Sequence, residues 1–278
     1  MELDVCIIST VRPEILKLTL DSFRKRFFNL LRKGFPGIKI RGIINIDPAG
    51  EPGITPQEMI KNLNLSSYFD IYVLNFPQSP SFPKAVSWCW DQVRTPIFLH
   101  LEDDWFLKKT IDFKSDVLDS FDQADNQNKS LVGILCNPSG NKKYPLSSLC
   151  LRPSFFRLEL IKEIFRSSDN PDILSMSISQ DPEKNFKTVM HKHSPQFQAA
   201  IKFDWLGGER DGYYVAHLGA VWNNALGFKK WSSTLIKNKT PQEITWSRNS
   251  KSPMVSFFHL IKLKIKLFYY RLHLYFFN

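Results

Sequence analysis

Cysteine is scarce in this chain of 278 residues: four, at positions 6, 89, 136 and 150, far apart and without a Cys-x-x-Cys pair or a His–Cys spacing. That excludes a disulfide scaffold and a zinc site, and it reads all four as reduced thiols of a cytosolic protein, mostly in apolar runs. Glycine is missing from Thr10-Val11-Arg12-Pro13, the loop after the first apolar run, so no glycine-rich phosphate cradle opens the chain. Acids run out after Glu243, whereas Arg248, Lys251, Lys262, Lys264, Lys266 and Arg271 follow. No apolar run is long enough to cross a bilayer, because three of those lysines interrupt the last one. The start, Met1-Glu2-Leu3-Asp4, carries acids into a strand and has none of the pattern of a signal peptide. Internal repeats and low-complexity stretches are absent as well.

What is present suits a globular enzyme with one large core and an appendage: 43% of residues are hydrophobic and 14% aromatic. Lys and Arg number 37 against 27 Asp and Glu, a net charge of +10. Such a balance favours a polyanionic partner, whether nucleotide, nucleic acid or anionic membrane. Part of the excess belongs to the C-terminal tail and says little about the rest.

The first half alternates strand and helix signals. Leu3 to Ser9 is a Val/Ile-rich buried strand. Pro13 and Glu14 open a helix whose apolar residues Leu16, Leu20, Phe23, Phe27 and Leu30 recur at helical spacing until Gly34. A strand from Ile38 to Ile46 stops at Asp47-Pro48, and Thr55-Pro56-Gln57-Glu58 is a capping box. Asp70 to Asn75 is a strand, Lys84 to Val93 a helix and Pro96 to Leu101 a strand. In the second half Leu131 to Cys136 and Tyr213 to His217 read as strands, Leu149 to Phe165 as a short strand and a helix, and Asn170 to Gln198 as a loop-rich, substrate-facing region. This order predicts a doubly wound α/β sheet, whose ligands bind at the carboxyl ends of its strands.

Two acidic signals fall at such ends, Asp47 and the triplet Glu102-Asp103-Asp104. Three carboxylates at the mouth of a buried strand repel one another and call for positive charge. Mn²⁺ or Mg²⁺, held by one or two carboxylates plus substrate phosphates, would supply it. If the strand continued, Glu102 and Asp104 would share a face and Asp103 would point away.

With these residues in place the chain resembles the GT-A fold glycosyltransferases, most closely the inverting family 2 type, over about residues 3–230. Ile8-Ser9-Thr10-Val11-Arg12-Pro13-Glu14 with Leu16, Leu20 and Phe23 looks like that family's first strand and helix. Asp47 matches its nucleoside-binding acid, and Glu102-Asp103-Asp104 its DxD motif, with Glu in the first position. Pro83-Lys84-Ala85-Val86-Ser87-Trp88 sits where the family has the helix before that motif. The resemblance implies a metal-dependent transfer of sugar from a nucleotide-sugar donor to a glycan or lipid-linked acceptor. Metal ligands would be Glu102, Asp104 and a late histidine, His217. Donor contacts would come from Thr10, Arg12, Asp47, Lys84 and Asp103. The base that takes the acceptor's proton would be Glu183, with Asp181 as its N-capping neighbour; Glu209 and Asp211 compete for the role. A sugar-phosphate nucleotidyltransferase is disfavoured by the missing glycine loop, and a non-catalytic binding module stays open. No motif supports nucleic-acid binding.

The expected division is a catalytic domain over residues 1–230 and an extension over 231–278. Its tail mixes aromatics with lysines, and reads either as a helix docked on the domain or as a peripheral anchor at the inner membrane face.

Overall fold

The computed structural model describes residues 1–51, 53–128, 131–136, 151–166, 202–206, 213–219, 222 and 253–276. Its centre is a seven-stranded sheet. In chain order the strands are β1 (Glu2–Val11), β2 (Lys39–Gly50), β3 (Ile71–Asn75), β4 (Ile97–Glu102), β6 (Leu131–Cys136), β7 (Ser154–Arg157) and β8 (Lys202–Leu206). A separate two-stranded ladder pairs β5 (Trp105–Leu107) with β9 (Val215–His217). Across the large sheet the order is β3-β2-β1-β4-β7-β6-β8. All neighbours are parallel except β7, which runs antiparallel to both β4 and β6. The α/β architecture and its mostly parallel sheet agree with the pattern of the sequence.

Side chains alternate across β1 as strand geometry requires. Val5 and Ile7 enter one apolar cluster and Cys6 and Ile8 the other. The first face is covered by α1 (Pro13–Phe23), a π-turn at Arg24–Phe28, α2 (Asn29–Gly34), α3 (Pro56–Lys61) and a helical stretch that ends in α5 (Asp119–Asn126). The second is covered by α4 (Phe82–Asp91) and α6 (Leu158–Arg166). Burial on both faces explains why β1 reads as a continuous apolar run. The capping box at Thr55 and Glu58 forms as its sequence implies, with both reciprocal bonds in place. A last helix, α7 (Pro253–Phe276), packs Leu263, Leu267 and Tyr270 against Ile15, Leu18, Phe106, Leu218 and Trp222.

Several elements depart from expectation. β2 runs past Asp47-Pro48 to Gly50, because the chain bulges there: Thr10 pairs with Asp47 but Val11 pairs with Gly50. Gly50 has φ +142°, and a Cβ on it would stand 2.2 Å from the carbonyl oxygen of Val11, so only glycine closes this bulge. The helical stretch Phe113–Asn126 and strand β8 carry no expectation from the pattern. Phe113, Val117, Phe121 and Ala124 do recur at helical spacing, and Asp112 caps the stretch through the amides of Lys114 and Ser115. Cys6, Cys89 and Cys136 are buried thiols, and Cys150 lies outside the described residues.

At the amino end of β1, Asp4 is fully buried and saturated. It accepts from Arg41 Nε at 2.7 Å and Nη2 at 3.0 Å, and from the backbone amides of Arg94 at 2.6 Å and Thr95 at 3.1 Å. Burial opposes its ionisation, but these donors outweigh it and hold the carboxyl below its ordinary value. Asp4→Ala would leave two buried amides unpaired and the Arg41 guanidinium with only the Gln92 carbonyl at 2.7 Å and Glu2 at 3.4 Å, and its expected cost is about 3–5 kcal/mol. Chemical denaturation should show that loss; a loss below ~1 kcal/mol would mean that water reaches these donors.

Candidate functional site

The carboxyl ends of β1, β2 and β4 converge, and there the acids gather. Strand β4 ends at Glu102, so Asp103 and Asp104 occupy a turn and strand alternation no longer governs them. Asp103 turns under β1. It is 1% exposed and accepts from Ser9 Oγ at 3.0 Å, the Thr10 amide at 3.1 Å and Arg12 Nε at 3.1 Å, with Arg12 Nη2 closing the second prong. Thr19 Oγ1 donates to its carbonyl at 2.6 Å, and its amide donates to the Ile8 carbonyl at 3.0 Å. Asp104, 8% exposed, accepts from Arg12 Nη1 at 3.1 Å through Oδ2. The expected face-sharing is thereby corrected. Asp103 and Asp104 are drawn together by Arg12, while Glu102 turns aside and accepts from the Trp105 indole at 2.8 Å.

His217 comes from β9, directly across from Trp105 in the small ladder. Its Nε2 lies 3.2 Å from Asp104 Oδ2, its ring rests on Trp105 with centroids 4.6 Å apart, and its side chain is 42% exposed. The next amide, Leu218, donates to the Asp104 carbonyl at 2.7 Å. Gly219 follows, and a Cβ there would stand 2.0 Å from Asp104 Oδ2 and 3.0 Å from Arg12 Nη1. Trp222 carries the Arg12 guanidinium 5.4 Å from its ring centroid and donates its indole N–H to Glu51 at 3.0 Å. Ser9, Thr19, Glu51, Gly219 and Trp222 escape sequence reasoning, since they meet the site from distant segments and only the glycine after His217 hints at close approach.

The two acids beside Arg12 are unlike. Burial penalises the charge of Asp104, but Arg12 and then His217 outweigh it and hold the carboxyl well below its usual range. Burial raises the pKa of Asp103 in spite of the same arginine. Arg12, though buried, is kept charged by both. The Oδ1 of Asp104 is buried without a hydrogen-bond partner. An ionised, half-satisfied carboxylate beside an accessible imidazole is an oxygen-plus-nitrogen donor pair, which fits Mn²⁺ better than Mg²⁺. Among the described residues no three His, Cys, Asp or Glu side chains converge to hold a cation, so a ligand phosphate would have to complete the set.

Asp47 borders this site on β2. It accepts from Asn45 Nδ2 at 2.8 Å and from the Ser81 amide, just before α4, at 3.1 Å. Asn75 Nδ2 donates in turn to Asn45 Oδ1 at 2.7 Å, so a polar row spans β3 and β2. Thr10 Oγ1 is buried and unpartnered beside it in the register of β1 and β2. Lys84 is exposed on the first turn of α4. Asp181, Glu183, Glu209 and Asp211 lie outside the described residues.

No family model matches the chain, and no curated protein matches its sequence. Solved glycosyltransferases are similar in shape. TarS of S. aureus gives a TM-score of 0.47 at 13% identity over 78% of this chain and 36% of that one. Its piece 1–349 with UDP-GlcNAc gives 0.45 at 12% identity over 88% and 63%. The mannosyltransferase PcManGT of Pyrobaculum calidifontis, with GDP-Man and Mn²⁺, gives 0.44 at 9% identity over 97% and 72%. The chain thus spans about a third of the TarS chain and less than two thirds of its 1–349 piece.

Burial pushes the Asp47 carboxyl up to about 6, against the two hydrogen bonds that favour its charge. A carboxyl raised on folding stabilises the protein only while protonated. Its contribution is full below about pH 4, the unfolded value, and is lost as pH rises through about 6. Asp47→Asn should therefore flatten the fall in stability between those values by on the order of 2–3 kcal/mol. Urea midpoints of both proteins across that range would show it; parallel profiles would mean Asp47 is ionised throughout.

Proposed function

We propose that the chain is a metal-dependent glycosyltransferase that moves a sugar from a nucleotide-sugar donor to a glycan or lipid-linked acceptor, with inversion. One observation carries this reading: Asp104, kept ionised by Arg12, has a buried oxygen free and an accessible imidazole beside it, at the carboxyl end of a parallel strand. In an open α/β sheet that is where nucleotides are met. Asp104 and His217 would hold Mn²⁺ or Mg²⁺, which when bound supplies positive charge to the departing diphosphate. Glu102, the other acid expected to ligate, is oriented by Trp105.

The chain's own groups divide the remaining work. Arg12 keeps Asp104 charged and fixed, a positioning task, because its own donors face Asp103 and Asp104. Asp103 fastens the turn to β1. Thr10 and Asp47 face the nucleoside, and Lys84 adds charge near the phosphates. Glu183, with Asp181 two positions before it in the sequence, would take the proton of the acceptor hydroxyl as the new glycosidic bond forms. Residues 1–230 would carry the transfer, and 231–278 would form an extension that includes α7, whose surface fits peripheral contact with the inner face of a membrane.

A thermal-shift series of UDP, GDP, CDP and ADP, each with and without Mn²⁺, tests this. One nucleotide should raise the melting temperature only when Mn²⁺ is present. The matching nucleotide sugar should then be consumed, and Glu183→Gln should slow its turnover by roughly 10²–10⁴-fold with little change in donor affinity. No shift with any nucleotide would contradict the proposal. Mn²⁺-dependent binding without consumption would make the chain a binding module, and loss of turnover in Glu209→Gln alone would move the base.

A further inference from the structure

Helix α7 has two apolar faces. With 3.6 residues per turn, Leu263, Leu267, Tyr270 and Leu274 form one stripe, and that stripe is the docked one. It lies against α1, β5, Leu218 and Trp222. Lys266 Nζ reaches the His217 carbonyl at 3.5 Å. Arg26 Nη2 donates to the His273 carbonyl at 2.9 Å, Lys25 donates to that of Leu274, and Arg271 meets Glu14 at 3.4 Å. The helix is therefore fastened from Leu263 to Leu274 to the shell of the acidic site.

The opposite stripe is apolar too, and it faces outward. Phe257, Phe258, Ile261, Ile265, Phe268, Tyr269, Tyr275 and Phe276 are all exposed, Ile265 by 63% and Phe268 by 61%. On the helical wheel Lys264 and Arg271 border this stripe on one side, and Lys262 on the other. No acid occurs anywhere in Pro253–Phe276. The two apolar faces also explain why the tail mixes aromatics with lysines in sequence: a docked stripe and an exposed one alternate around the helix.

We propose that the outer face of α7 seats in the headgroup region of an anionic lipid bilayer while the inner face stays docked on the protein. Aromatic and aliphatic side chains enter the acyl boundary, and Lys262, Lys264 and Arg271 pair with lipid phosphates at its borders. A spanning role is excluded, since among the described residues no helix is long and apolar enough to cross a membrane. Charge also decides against a second copy as the occupant. Pairing two such faces would set Lys262 of one helix among the basic residues of the other, with no acid on either to offset them. Because α7 also packs on Leu218 and Trp222, lipid contact would fix the orientation of the site toward the bilayer. The inference goes beyond the transfer chemistry and does not depend on it.

Vesicles of phosphatidylcholine with and without phosphatidylglycerol, and the full chain without donor, provide the test. The protein should co-sediment with the anionic vesicles only, and added salt should weaken that binding. Ile265→Glu combined with Phe268→Glu should lower the bound fraction to the level seen without vesicles, at unchanged circular dichroism and melting temperature. Lys262→Glu with Lys264→Glu should do the same through charge alone, which keeps the test decisive if the first variant misfolds. Absence of sedimentation with anionic vesicles, or equal sedimentation of both variants, would overturn the proposal. So would a wild-type dimer in light scattering that the first variant abolishes, without vesicle binding.

Discussion

One guanidinium holds this site together. Arg12 leaves the end of β1 and forks onto two successive carboxylates at the end of β4, so neighbouring strands are tied at the point where the parallel sheet opens. Asp103 and Asp104 could not both sit here unpaired, because removing two negative charges from water costs several kcal/mol each. Arginine meets this need better than lysine would, since its planar fork offers several fixed donors and it stays charged when buried. The surroundings follow from that choice. Trp222 presents its ring to the cation, Glu51 takes the indole N–H, and Gly219 lets the chain pass within contact of Asp104. The pair Asp4–Arg41 repeats the device at the other end of β1, but there every acceptor is saturated and the result is structural.

The difference between those two clusters separates a clamp from a site. Asp4 uses both its oxygens within the chain, whereas Asp104 keeps Oδ1 unpartnered. Asp47 is tuned the other way: burial, which its two hydrogen bonds do not offset, pushes its carboxyl up to about 6. An acid held ionised thus stands near one that burial inclines to protonate. The same elements that frame Asp104 also anchor α7.

Much of the fold is legible in the sequence because local signals and burial agree. The Val/Ile runs, the capping box at Thr55 and the proline-started helices are each short-range patterns with one physical reading. The acids at strand ends could also be found this way. What the pattern misses is set by contacts between distant segments. Strand alternation fails after Glu102 because the strand ends there, and nothing local announces that Arg12 will bridge residues some ninety positions away. Trp222 and Gly219 join from still farther. The tail shows the opposite failure, in which a correct list of apolar and basic residues suggests two exclusive roles. The packed structure assigns the inner stripe to the protein and leaves an outer stripe beside it.

The proposed chemistry rests on Asp104 as the ionised carboxylate that would receive a divalent cation together with a nucleotide. Its most direct measurement is Mn²⁺ binding by electron paramagnetic resonance, with UDP or GDP present, in the wild-type chain and in Asp104→Asn. The substitution keeps size and leaves Arg12 paired with Asp103, so the fold should persist. The account predicts bound Mn²⁺ in the wild type and its loss in the variant, at unchanged circular dichroism. Equal Mn²⁺ binding by the two proteins would contradict it.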